Sequence, residues 1–200
     1  MSTEKRKYQL KARAQAQRET RRRIVESTAA LHEELGPART TVAEIARRAG
    51  VNRLTVYNHF PDDGELFAAC QRHFLARHPP PDLAPALALE DPVERVLAAL
   101  GALYPSYRDR ERMTAKILRD RGAVPALDAL MERTFDAQQR RLADALAAPF
   151  GVTGGRARRL RAVLLVALEF WTWQRLAREG LDDAAAARLM GDVVAVAAGP

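Results

Sequence analysis

Between Asn52 and Phe60 the chain reads NRLTVYNHF, placing Arg53, Thr55, Tyr57, Asn58 and His59 on one short helical stretch. These side chains donate and accept hydrogen bonds, and none is a strong nucleophile or a general base in need of a partner. On a helix, successive positions turn by about 100°. Val56 and Phe60 then share an inward face. Leu54, Thr55 and Asn58 point away, with Arg53, Tyr57 and His59 on the flanks. An outward Leu among donors and acceptors suits the major groove of DNA, where it can meet a thymine methyl. Arg53, in the first turn, can bond guanine O6 and N7 with both arms of its fork, and Asn58 can read adenine or a phosphate. Thr41, Tyr57 and His59 have the short reach and donors of phosphate contacts. Asn52 stands at the start of the same helix.

Other chemistries fit less well. Cys70 and His73 lie three apart and so share a helix face. A thiol–imidazole pair can be nucleophilic, but Cys70 sits among Leu66, Phe67 and Phe74 as a core residue would. Asp62, Asp63 and Glu65 are explained by helix capping. His32, His59, His73 and His78 lack zinc spacing. GVTGG at 151–155 reads as a plain loop. The expectation is no enzyme, no metal and no cofactor.

The elements that must position Arg53–His59 are legible from their punctuation. Ile24, Thr28, Leu31 and Leu35 recur on one helical face, and Gly36-Pro37 stops that helix. Thr41 and Glu44 form a capping box before a two-turn helix with Val42, Ile45, Ala46 and Ala49 inward. Gly50 ends it at positive φ, and Asn52 caps the next. Asp62 and Glu65 open a longer helix carrying Leu66, Phe67, Cys70 and Phe74. Helix, short turn with Gly, helix is the helix-turn-helix unit.

Residues 23–67 resemble the tetracycline-repressor (TetR) family of bacterial regulators. The resemblance is carried by Thr41-Val42, Ile45-Ala46, Ala49-Gly50-Val51, Thr55-Val56-Tyr57, His59-Phe60 and Leu66. It implies a DNA-binding head followed by a helical domain that binds an effector and dimerises. Two positions depart from the family pattern. Leu54 replaces a small residue before the motif Thr, which implies different base contacts. Asp63 stands where a Lys commonly grips phosphate, so that contact is expected to be missing.

The 200-residue chain has a net charge of +7, and its location matters more than its size. Residues 1–23 hold nine Lys and Arg against two acids, leaving the other 23 basic and 23 acidic residues to balance. A basic arm of this kind suits a polyanion, because bound phosphates release condensed counterions. Lys5, Arg6, Lys7, Lys11 and Arg13 are its candidate DNA contacts. Ala, Leu and Arg dominate and β-branched residues are sparse, which favours an all-α protein. A single cysteine, no apolar run of membrane length and no apolar signal core lead to the expectation of a cytoplasmic protein.

A proline-rich segment at 78–92, HPPPDLAPALALEDP, marks the expected boundary. The expected organisation is a basic arm at 1–20, a three-helix helix-turn-helix domain at 21–78, and a helical effector-binding and dimerisation domain at 79–200. Helices are expected at 92–104, 106–120, 124–148, 156–179 and 183–198. The nearly all-apolar stretch 161–176 and the Ala-rich last helix predict a homodimer through 156–179 and 183–198. Candidate pocket residues are Tyr104, Tyr107, Met113, Met131, Phe135, Glu169, Phe170, Trp171 and Trp173. The expected function is a transcriptional regulator, a repressor released from a palindromic DNA operator by a small-molecule effector. A ligand-independent, nucleoid-type DNA-binding protein is the alternative.

Overall fold

α1 (Thr3–Glu34) is one continuous helix that joins the basic segment to the core-forming residues after it. The computed structural model describes residues 3–199, with side chains from residue 7 onward, and among them there is no strand. The remaining helices of the first ninety residues are α2 (Val42–Ala49), α3 (Arg53–His59), α4 (Asp63–Arg77) and the single turn α5 (Ala84–Leu87). Then come α6 (Pro92–Asp120), α7 (Pro125–Met131), α8 (Ala137–Ala147), α9 (Gly154–Leu168), α10 (Phe170–Arg178) and α11 (Asp183–Ala198).

By their contacts the residues form two units. One gathers the residues up to Arg77 together with Lys116–Leu130, and the other gathers His78–Ala115 with the residues from Met131 on.

In the first unit, α1 lies against α2 and α4. Ile24, Val25 and Leu31 of α1 meet Ile45, Ala46, Ala49, Val56, Phe60, Leu66, Ala69 and Cys70 in a shared core. Fully burying each of the larger side chains contributes roughly 1.5–3 kcal/mol. Gly36 ends α1 at φ 93°, a left-handed backbone that only glycine adopts without strain. The last turn of α6 seals this end. Asp120 accepts the Ala38 N–H at 3.1 Å, Arg119 donates to the Leu35 carbonyl at 3.3 Å, and Lys116 donates to the carbonyl of Glu33. The Arg119 guanidinium holds the Asp120 carboxyl below its ordinary range.

The second unit packs α9 against α8 and α11, with α10 against both α9 and α11. Three features here differ from the sequence expectation. α6 runs unbroken through Pro105, where two helices were expected. A proline ring clashes with the residue four before it and removes one donor. Here that residue is Gly101, and both Gly101 and Pro105 are exposed, so water can meet the carbonyl that loses its donor. The expected 124–148 helix is interrupted by a wide π-type turn at Glu132–Asp136. The expected 156–179 helix breaks at Glu169, whose ψ of 136° is extended. Nothing local demands that break. The freed carbonyls are held from outside: Tyr104 donates to Ala167 O at 2.8 Å, and Tyr107 and Gln139 donate to Leu168 O at 2.5 and 2.8 Å.

His32 is buried in the first unit, its ring stacked on Phe67 at 5.4 Å between centroids. Burial pushes its pKa from 6.5 down to about 4, against a smaller opposing pull from Asp120. The neutral ring is therefore the form that the folded chain accommodates. The associated stability is present above pH 6.5 and drains away as pH falls toward about 4, amounting to about 3 kcal/mol. Urea denaturation of the wild type and of His32→Gln across that window should show the variant with a shallower acid loss. Parallel curves would remove His32 as the cause.

Candidate nucleic-acid interface

The α2–α3 turn is built by caps. Thr41 Oγ1 accepts the Glu44 N–H at 3.2 Å to start α2. The Glu44 carboxylate is taken by Arg47 at 2.5 Å, so the pair is less a reciprocal box than a cap beside an ion pair. Gly50 closes α2 with φ 66° and ψ 40°, and the Val51 N–H returns to Ala46 O at 3.0 Å. This reversal needs a left-handed residue, which is why glycine stands there. Asn52 then caps α3, its Oδ1 accepting both the N–H and the hydroxyl of Thr55 at 2.8 and 2.9 Å.

The rotation of α3 follows from two side chains. Val56 and Phe60 are buried to within 2% of full occlusion. Leu54 is consequently 67% exposed and Tyr57 51% exposed, with Arg53 and Asn58 also in solvent. Thr55 and His59 are half-buried. Among the sequence candidates, Arg53, Leu54, Tyr57 and Asn58 thus form one outward face. Asn52 and Thr55 are partly occupied by the cap, though the Asn52 amide still faces solvent. Thr41 lies exposed at the opposite end of the turn, with its O–H available to donate.

Lys7, Lys11 and Arg13 are exposed along α1. The side chains of Lys5 and Arg6 lie outside the described residues. Sequence reasoning did not single out Arg18 and Arg21, which line a cleft of about 480 Å³ with Ala14, Gln17, Thr55, Asn58 and His59. Their signal was available in the helical spacing of the arm. Arg21 rests its guanidinium on the Phe60 ring at 4.0 Å, a cation–π contact. Asp62 and Asp63 are exposed, and Asp62 caps α4 through the Glu65 N–H at 2.8 Å.

The pocket candidates of the second unit separate into two groups. Tyr104, Tyr107, Phe170 and Trp173 are buried together, with Tyr107, Phe170 and Trp173 centroids 5.5–5.9 Å apart. Trp173 Nε1 donates to Asp183, which Arg108 also grips at 2.8 Å. Met113 and Met131 are buried and Phe135 is half-buried. Trp171 and Glu169 instead face solvent. Cys70 is core: burial raises its thiol to about 12, far from a thiolate at neutral pH. Among the described residues no group of His, Cys, Asp and Glu could hold a metal ion, and no helix is long and apolar enough to cross a membrane.

Residues 24–70 match the model of the bacterial regulatory proteins of the tetR family. This segment is a TetR-family helix-turn-helix domain. Uncharacterised HTH-type transcriptional regulators of Mycobacterium tuberculosis and Mycobacterium bovis are 47% identical to this chain over 47 residues. That match spans 24% of this chain and 25% of the length of each relative. Over most of the chain the similarity is one of fold. A TetR-like regulator from Rhodococcus sp. RHA1 aligns over 88% of this chain and 93% of its own, with a TM-score of 0.61 and 20% identity. NalD, the secondary repressor of the MexAB-OprM efflux pump in Pseudomonas aeruginosa, covers 92% and 97% with a TM-score of 0.60 and 23% identity. AibR, solved with isovaleryl coenzyme A and operator DNA, covers 87% and 97% with a TM-score of 0.59 and 19% identity.

The TetR segment ends at Cys70 inside α4 and contains every residue of the outward α3 face. Its shortest helix depends on its cap. Asn52→Ala should destabilise α3 by about 0.5–2 kcal/mol, measured as faster amide exchange at Val56–Phe60 than in the wild type. Unchanged exchange would mean that core packing alone holds the helix.

Proposed function

We propose that the chain is a sequence-specific DNA-binding transcriptional regulator, a homodimeric repressor that leaves a palindromic operator when a small molecule binds its second unit. The observation that carries this reading is the rotation of α3. Burial of Val56 and Phe60 turns Arg53, Leu54, Tyr57 and Asn58 outward together, as a helix entering the major groove requires. Arg53 and Asn58 supply donors and acceptors for base edges, and Leu54 supplies an apolar contact for a thymine methyl. Thr41, Tyr57 and the arm supply phosphate contacts.

One seven-residue helix reads too few base pairs for useful specificity, so two copies are needed. Leu189, Val193 and Val196 are 42, 41 and 79% exposed at spacings of four and three on α11. Val166 and Trp171 add exposed apolar surface on α9 and α10. A second copy is the natural cover for such a stripe. The effector reading follows the fold shared with AibR, whose structure holds an acyl coenzyme A beside operator DNA. In this chain the effector would meet the aromatic and methionine residues of the second unit and stabilise a head spacing that mismatches the operator.

Selection of bound fragments from random DNA tests the reading directly. The wild type should enrich a palindrome. Arg53→Ala should relax one position per half-site, at about 1–3 kcal/mol per lost contact. No enriched sequence from the wild type would instead support a ligand-independent packaging protein. Val193→Glu with Val196→Glu should shift sedimentation from dimer to monomer and remove operator binding. A wild type that sediments as a monomer would end the homodimer proposal.

A further inference from the structure

We propose that one side of α1, carrying Lys7, Lys11, Ala14, Arg18 and Arg21, is a built track for the phosphate backbone of double-stranded DNA, and that the remaining arm cations are not part of it. The proposal rests on the DNA-binding reading and specifies how the arm takes part. Positions 7, 11, 14, 18, 21 and 25 recur at four and three residues, within about 40° of one line along a helix. The structure anchors that line at its inner end. Val25 is buried in the first-unit core, and Arg21 lies on the ring of Phe60. Continuity of α1 from Thr3 to Glu34 carries the register outward from there. Ala14, Arg18 and Arg21 line the cleft whose other wall is Thr55, Asn58 and His59 of α3. The line therefore runs on the side of α1 that faces the base-reading helix.

Charge pairing draws the same distinction. Arg22 lies off the line and is tied to Glu19 and Glu26 at 2.6 and 2.7 Å. Arg47 and Arg48, close by on α2, are tied to Glu44 and Glu34. No ion pair or hydrogen bond holds Lys7, Lys11, Arg18 or Arg21 to a carboxylate among the described residues. From Lys7 to Arg21 the helix rises about 21 Å. That equals about six base-pair steps along a duplex. Four cations over that length can each meet a phosphate of one strand. The Thr55, Asn58 and His59 wall would take the phosphate nearest the bases that α3 reads.

Binding of the full chain to a random-sequence duplex, measured by fluorescence anisotropy from about 50 to about 200 mM salt, tests the track. Arg18→Gln should lower the salt slope by about 0.9 per subunit. Ala14→Lys should tighten binding and steepen the slope, whereas Ala16→Lys, on the opposite side of α1, should change neither. All three positions are exposed and helical, so none of these substitutions threatens the core. Equal effects of Ala14→Lys and Ala16→Lys, or an unchanged slope for Arg18→Gln, overturn the track and leave a diffuse cationic arm. Failure of the wild type to bind any duplex is a different outcome, and overturns the DNA-binding reading along with it.

Discussion

The seven residues of α3 are too few to persist as a helix in water, so what its outer face presents depends on the burial of Val56 and Phe60. These two side chains insert into a core shared by α1, α2 and α4. Their positions fix the rotation of the helix, and rotation decides whether Arg53 and Asn58 point at a ligand or at their own domain. The caps refine this arrangement. Asn52 sets where α3 starts, and Gly50 sets the angle at which the chain arrives.

The same core also orients the arm. Ile24, Val25 and Leu31 belong to the helix that begins at Thr3, so burial near its middle determines which cations face α3. A disordered basic tail would carry charge without direction. A helical extension in register with a packed core carries charge on a chosen side. Ordering the arm before contact also removes part of the conformational entropy that a flexible tail loses on binding.

Much of the first unit could be read from its residue types, because its boundaries are set by local chemistry. A Thr or Asn cap, a left-handed glycine and a four-residue apolar spacing act within one or two turns and leave clear marks. The outward direction of Leu54 and the core position of Cys70 follow from that spacing alone. The second unit was less legible where distant groups decide the backbone. Pro105 marks a helix end by local rules, yet α6 passes it with Pro105 and Gly101 both on its water-exposed side. The break at Glu169 has no proline or glycine to announce it. The pairing of Arg22 and Arg47 with nearby acids was visible in principle, since their partners lie three or four positions away, whereas Arg48 reaches Glu34 on α1 and only the fold reveals it. Counting net charge by segment hid which cations remained unpaired.

The interruption between α9 and α10 has a further implication. Leu168, Glu169 and Phe170 are ordinary helix-compatible residues, so what holds the backbone extended there is tertiary. Donors on Tyr104, Tyr107 and Gln139 take the carbonyls before the break, and Leu168, Phe170 and Trp173 are fully buried around it. The heading of α10, and with it the seat of Trp173, is therefore chosen by side chains far away along the chain rather than by the residues at the bend.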